Sequence, residues 1–453
     1  MQTLDTMAKV FREMFGPGAT PFACRAPARV NLLGEHLDYN GLPVLPMTMN
    51  RETWCIARAT AGNTIRIRNG AAGFAPEDFN NVSPLTPSEA GNWINYCKAA
   101  IEGLNQRFGI ERGPGLDLLV AGNIPAAAGL SSSSALVVVT ALAYLRALGQ
   151  KLDASIQRIE LAGVLAQAER YVGVQGGGMD QAIILLGDDE SACKIDFFPL
   201  RIERVPLFDQ RVFVVCNSMV VADKSGAAVQ RYNEGPASSR LIRALVEKYA
   251  QINFGEEVKI ERLGDLWFGP LCLTNAEVES LFREAFPRPK TSLAEMVSLL
   301  DIDEPEIRRR WLQDLPEPGG GFPLQGRARH QLSEHARVEQ GRDCMIAGDA
   351  DGFGALMDDS HRSCADDYRV SCPELDALVA IGRKAGSKGS RLTGAGFGGS
   401  TVHLVAESDA EDFVATVKRG YYKEFLGRTG SNPIEQDWII IAKPSASAGY
   451  LGL

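Results

Sequence analysis

The stretch Gly122-Asn-Ile-Pro-Ala-Ala-Ala-Gly-Leu-Ser-Ser-Ser-Ser-Ala135 runs straight into the apolar segment Leu136 to Leu145, and its reading decides the fold. Leu116 to Ala121 leads in as a strand, small residues make the bend, and four hydroxyls open the first turn of a helix. Gly129 lets the backbone approach oxygen atoms. The first helical amides have no partner within the helix, and the dipole there favours negative charge. Such a loop holds a polyphosphate, with the hydroxyl of Ser134 free to turn toward a metal ion. The competing reading is a serine-rich linker entering a core helix, because glycine and serine are common in loops. A Walker A motif is excluded: it carries a lysine just before its terminal Ser or Thr, and no lysine lies between Lys98 and Lys151. Phosphate here must be neutralised by another cation.

Outward from this loop, alternation and helical spacing set the other elements. Residues 1–20 read as an amphipathic helix ending at Gly16-Pro-Gly18. Strands are expected over Phe22–Leu33, Glu52–Ala59 and Asn63–Arg68, then a polar loop over Pro76–Gly91 and a helix over Trp93–Phe108. Helices over about 131–148 and 155–172 follow, then short strands near Cys193–Phe197 and Val212–Asn217. After about residue 222 helical patterns dominate to 385, broken by the Pro/Gly-rich stretch Pro316–Pro323. A second glycine loop, Thr393–Gly399, feeds the strand Ser400–Val405; a helix over about 409–425 and a strand over Trp438–Ala442 close the chain. The elements do not alternate as βαβ units, so a two-lobed α+β fold is expected rather than a doubly wound sheet. The lobes divide near residue 205, into 1–205 and 206–453.

The 453 residues are 45% hydrophobic and 23% charged, with a net charge of −9. That balance supports a sizeable core and argues against nucleic acid or an anionic membrane as the main partner. Nine scattered cysteines, with no CxxC pair, read as buried thiols in a reducing compartment. The start lacks a signal-peptide pattern and no apolar run reaches membrane-spanning length, so a cytoplasmic location is expected.

Two further clusters carry chemistry. Gly34-Glu-His-Leu-Asp38 follows a strand, with Gly34 allowing a sharp exit, and sets Glu35, His36 and Asp38 on one turn able to grip the hydroxyls of a polyol. An exposed polar turn is the plain alternative, and a metal site from the same three side chains a weaker one. The remaining histidines, 330, 335, 361 and 403, sit in ordinary helix or strand patterns and read as structural. Gly176-Gly-Gly-Met-Asp-Gln181 lets Asp180 project into a crowded site, although Asp is also favoured at any helix N-terminus. Glu169 is either a surface carboxylate or a second magnesium ligand, since magnesium takes one or two carboxylates plus phosphate oxygens.

Taken in order, Arg29-Val-Asn-Leu-Leu-Gly-Glu-His-Leu-Asp-Tyr39, Gly129-Leu-Ser-Ser-Ser-Ser-Ala135 and Ser390-Arg-Leu-Thr-Gly-Ala-Gly-Phe-Gly-Gly399 resemble the three motifs of the GHMP sugar-kinase superfamily, and within it the galactokinase family. Trp93-Ile-Asn-Tyr96 and His361–Asp376 fit as well, and the match covers nearly the whole chain. Val44-Leu-Pro-Met47, Gly176–Asp180 and Ser371-Cys-Pro-Glu374 lean toward the branch that includes N-acetylgalactosamine kinase. The resemblance implies an N-terminal lobe similar to ribosomal protein S5 domain 2 and a ferredoxin-like C-terminal lobe, with the site between them. It implies ATP and Mg2+ as cofactors, held by Gly129, Leu130, Ser131, Ser132, Ser133 and Ser134, with Ser134 and Glu169 on the metal. It implies Asp180 as the catalytic carboxylate, Arg29 as its cationic partner, and Glu35, His36, Asp38, Tyr232 and Gly177 as sugar contacts. The implied reaction is phosphorylation of D-galactose at C1 by a monomeric enzyme, with N-acetylgalactosamine the alternative sugar. A silent galactose- and ATP-binding regulator is the alternative of another class, and phosphomevalonate- or homoserine-type kinases share the loop but not the acidic turn.

Three positions depart from the pattern. Tyr232-Asn-Glu-Gly-Pro236 lacks the usual arginine, and Gly235-Pro236 is expected to break or start a helix. Ser400 stands where cysteine is common, and Leu37 replaces a threonine or isoleucine.

Overall fold

The computed structural model describes residues 4–173, 176–221, 227–313, 315–428 and 438–452. Two sheets organise two lobes. The first has six strands: β1 (Phe22–Leu33), β2 (Leu45–Thr60), β3 (Thr64–Asn69), β4 (Glu77–Asn80), β5 (Gly115–Gly122) and the distant β12 (Gly449–Leu451). Their order is β12-β1-β2-β5-β3-β4. The side-chain period of two sorts each strand between two cores. Cys24, Cys55, Ala57, Leu118 and Val120 face the main core with the helices Ile94–Phe108, Ser132–Ala147, Arg158–Ala168 and Met179–Leu186. Their neighbours Ala23, Ile56, Leu119 and Ala121 face the opposite side, where the helix Leu4–Phe15 covers them with Met7, Phe11 and Phe15. Helix Ser132–Ala147 is buried on nearly every side, which explains its unbroken apolar run.

The hairpin β6 (Ser191–Asp196) and β7 (Arg201–Pro206) leads to the second sheet, built from β8 (Arg211–Asn217), β9 (Gly389–Thr393), β10 (Ser400–Ala406) and β11 (Ile439–Ala442). All its pairings are antiparallel, in the order β11-β8-β10-β9. Numbered within the sheet this is 4-1-3-2, with helices joining its first strand to its second and its third to its fourth, the ferredoxin-like arrangement. Between β8 and β9 stands a helical block with its own core, including Leu241, Leu245, Phe282, Phe286 and Phe322. We propose the end of β7 as the boundary between lobes, with β12 crossing back to pair Tyr450 with Cys24 of β1.

Several elements differ from expectation. Strand β2 starts earlier, at Leu45, and the polar loop 76–91 contains β4, which pairs with β3. The helix expected to reach 172 ends at Ala168 and tightens into a 3-10 turn, Glu169–Val172. The break expected at Gly235-Pro236 does not occur: one helix runs from Ala227 to Phe254 with Pro236 inside it. Its buried residues Ala237, Leu241, Ile242 and Leu245 pack into the second lobe's helical core, and that burial outweighs the lost backbone hydrogen bond. Gly235 packs closely against two tyrosine hydroxyls. A Cβ there would stand 3.2 Å from the Tyr368 hydroxyl and 3.4 Å from that of Tyr39.

Candidate active site

Two glycine loops from different lobes meet. Ser400 Oγ donates to Ala128 O at 2.8 Å, and a Cβ on Gly129 would lie 3.2 Å from Thr393 O. This close approach, with φ of 74° at Gly129, is why that position needs glycine. Ser131 also adopts a left-handed conformation at the helix start, where no side chain caps the helix. Its hydroxyl is buried and has no hydrogen-bond partner among the described residues. An uncapped helix start beside an orphaned hydroxyl fits a phosphate oxygen. Leu130 contributes backbone only; its side chain is core, and its carbonyl accepts from Arg29 N at 3.5 Å.

Arg29, on β1, joins the loop to the middle aspartate. Its Nη1 donates to Gly129 O at 2.6 Å and its Nε to Asp180 Oδ1 at 2.7 Å. Burial alone would lower the Arg29 pKa, but Asp180 and Glu35 outweigh it and the guanidinium ends above its ordinary value. Asp180 does stand in the first turn of a helix, Met179–Leu186, and it also faces the site. Ser134 Oγ donates to Glu169 Oε1 at 2.7 Å and lies 3.5 Å from Asp180 Oδ2. Glu169 is therefore a buried carboxylate at the loop, not a surface one. This hard-oxygen pair fits magnesium completed by phosphate oxygens.

The acidic turn packs against the same cleft. Gly34 exits β1 with φ of 100°. Glu35 Oε1 accepts from Gly394 N at 2.8 Å. Burial raises the Glu35 pKa, with Arg391 and Arg29 opposing it. The two ring nitrogens of His36 contact Tyr39 Oη at 3.0 Å and Ala395 O at 3.2 Å, and its ring stacks on Tyr368. Asp38 Oδ2 accepts from Met179 N at 3.2 Å, which ties the turn to the helix of Asp180. Gly177 makes that fit possible: a Cβ would overlap the Tyr39 nitrogen and stand 2.5 Å from Asp38 Cγ. Tyr232 is buried, and burial first, then Asp38 and Asp180, push its hydroxyl well above the usual range. Arg29, Glu35, His36, Asp38, Glu169, Gly177, Asp180 and Tyr232 all line one cleft. The alternative metal site on the acidic turn finds no support, since among the described residues no three His, Cys, Asp or Glu side chains gather as a ligand set.

Sequence reasoning missed the scaffold behind this turn. His330 Nε2 contacts Glu35 O at 3.0 Å, Gln331 Nε2 donates to His36 O at 3.0 Å, and Glu334 Oε1 accepts from Gly34 N at 2.8 Å. Their spacing on one helix face was the available signal, but nothing local named the turn as its target. His330, His335, His361 and His403 are all buried, as expected of structural histidines.

Two lobes, a lysine-free serine-rich loop and a carboxylate–guanidinium pair at its mouth fit a GHMP-type kinase. The GHMP kinases N terminal domain model matches residues 95–188, and the GHMP kinases C terminal model matches 342–423. The galactokinase galactose-binding signature matches residues 9–59. The chain is 34% identical to a galactokinase of Roseiflexus sp., over 90% of this chain and 89% of that one. It is 31% identical to the galactokinase of Dictyostelium discoideum, over 95% and 90%. The crystal structure of Lactococcus lactis galactokinase complexed with galactose superposes with a TM-score of 0.77 at 27% identity, covering 99% of this chain and all of that one. The chain belongs to the galactokinase family. It is thus a sugar kinase that uses ATP and an alcohol acceptor. Among the described residues no helix is long and apolar enough to cross a membrane.

Proposed function

We propose that this chain transfers the γ-phosphoryl group of ATP to the C1 hydroxyl of D-galactose, forming α-D-galactose 1-phosphate and ADP. The observation that carries the reading is Arg29, which bridges Asp180 and the phosphate loop within 2.7 Å on each side. Phosphoryl transfer depends mainly on positioning and electrostatics. Asp180 orients the attacking hydroxyl and accepts its proton late, an effect worth about 10²–10⁴-fold. Arg29 pairs with that carboxylate and offsets charge on the phosphoryl oxygens, the task a Walker lysine performs elsewhere. Gly129 to Ser134 hold the phosphates, and Ser134 with Glu169 would hold magnesium. Bound there, Mg2+ would supply positive charge that offsets the charge of the phosphates. Glu35, His36, Asp38, Tyr232 and the backbone at Gly177 grip the sugar.

N-acetylgalactosamine is the second reading, favoured by Gly176, where a Cβ would meet nothing within 4 Å among the described residues. The silent regulator is disfavoured because Arg29, Asp180 and all four loop serines are present. A coupled ADP-release assay over a panel of sugars tests the proposal. Galactose is expected to give the highest kcat/KM; strong preference for the amide-bearing sugar would transfer the assignment to it, and no turnover with any sugar would restore the regulator. We further read the chain as a cytoplasmic monomer. All nine cysteines are free, which supports a reducing compartment, and size-exclusion chromatography tests the second point.

A further inference from the structure

Arg391 lies on β9, four residues before the glycine loop's Ala395, and is wholly buried. Among the described residues none of its three guanidinium nitrogens has a well-aligned hydrogen-bond acceptor, and the Cys364 thiol lies beside it as a weak partner. Its nearest charged neighbour is the sugar turn: Nη2 stands 3.4 Å from Glu35 Oε1. Behind it, Glu334 accepts from Gly34 N at 2.8 Å and from Ser360 Oγ at 2.7 Å, and pairs with Arg337 at 2.6 Å. A buried ion pair adds little net stability over a packed apolar pair, although removing the guanidinium alone would leave the buried Glu35 carboxylate uncompensated. What an apolar residue would not supply is positive charge beside Glu35.

We propose that Arg391 is a positioning residue for the sugar turn: it holds the Glu35 carboxylate charged and in place, so that sugar affinity rather than phosphoryl transfer depends on it. The proposal rests on the reading of Glu35 as a sugar contact. Several groups face Glu35 and set its ionisation. Arg29 comes from β1 onto the carboxylate and His330 from the helix Leu324–Ala347 onto the Glu35 carbonyl, while Asp38 faces Arg29, and Glu334, paired with Arg337, faces Arg391. Cys364 and His361 approach from the neighbouring helix and face Arg391. The net environment already holds Glu35 above the ordinary carboxylate range, through burial first, with Arg391 the largest opposing influence.

The test is KM for galactose, KM for ATP and kcat between pH 5 and 9 for the wild type, Arg391→Gln, Arg391→Lys, Glu334→Gln and Glu35→Ala. Arg391→Gln is expected to raise KM for galactose about tenfold, the scale of one lost charged interaction, while kcat and KM for ATP stay within about twofold. The acid limb of kcat/KM for galactose moves to higher pH, and Arg391→Lys recovers most of the loss. Glu334→Gln removes a negative neighbour and moves the limb the other way, a reversal that simple destabilisation does not produce. A folded Arg391→Gln with the wild-type KM and pH profile overturns the proposal. If that variant does not fold, Glu334→Gln decides: a limb that stays put or rises overturns it. An unaltered KM in Glu35→Ala instead faults the assignment of Glu35 to the sugar.

Discussion

Replacing Arg29 by lysine keeps the charge and removes the fork. The guanidinium uses Nε for Asp180 and Nη1 for the Gly129 carbonyl, two acceptors on separate segments, from a side chain only 3% exposed. A single ammonium cannot span both in that space. Losing one charge-assisted hydrogen bond costs about 1.5–3 kcal/mol, and each ~1.4 kcal/mol is tenfold in rate. Arg29→Lys is therefore expected to lower kcat/KM by about 10- to 150-fold. Initial rates of ADP release, with each substrate varied at saturating magnesium, divide that loss. A lysine that keeps Asp180 raises KM for ATP; one that keeps the loop lowers kcat. Because Arg29 acts in part through the Asp180 carboxylate, Arg29→Lys combined with Asp180→Asn is expected to cost less than the two single losses added together. Activity of Arg29→Lys within twofold of wild type, or fully additive losses in the pair, would refute the bridging role.

Gly177→Ala is expected to push Asp38 off the helix of Asp180, at about 1–3 kcal/mol of overpacking, and to raise KM for galactose with little change in KM for ATP. A lowered Tm with an unchanged sugar KM would remove Asp38 from the sugar site. Ser134→Ala is expected to raise the magnesium concentration needed for half-maximal rate, and an unaltered magnesium curve would free Ser134 from that role. Burial lowers His330 and His335 to about 4 and His403 to about 3. Between there and 6.5 the unfolded chain binds protons that the folded chain does not, so stability falls as pH falls through that window. Each histidine removes about 2 kcal/mol by pH 5 relative to pH 7. Urea unfolding at both pH values measures this, and equal stabilities would show that these rings are not buried neutral.

The serine-rich loop, the acidic turn and the Asp180 segment, which the structure brings to one cleft, could be singled out because their chemistry is local: hydroxyls at a helix start, carboxylates after a glycine. Arg29 and Asp180, 151 residues apart, could be paired only through the family resemblance. Long-range supports left no such trace. Glu334 reaches Gly34 across 300 residues and Glu35 reaches Gly394 across 359, and neither partner carries a pattern naming the other. Strand β12 is three residues long, too short for periodicity to reveal. Pro236 misled for a related reason. A helix-breaking rule counts one lost hydrogen bond, whereas the helix from Ala227 to Phe254 is held by its packing on elements distant in sequence.

The most direct measurement is the single-turnover rate of Asp180→Asn with galactose and ATP, alongside galactose affinity by calorimetry. The rate is expected to fall at least about 10²-fold while Kd for galactose changes only a few-fold, because asparagine can still hydrogen-bond the hydroxyl that Asp180 orients but cannot accept its proton. Transfer at the wild-type rate would take Asp180, and its pairing with Arg29, out of the reaction.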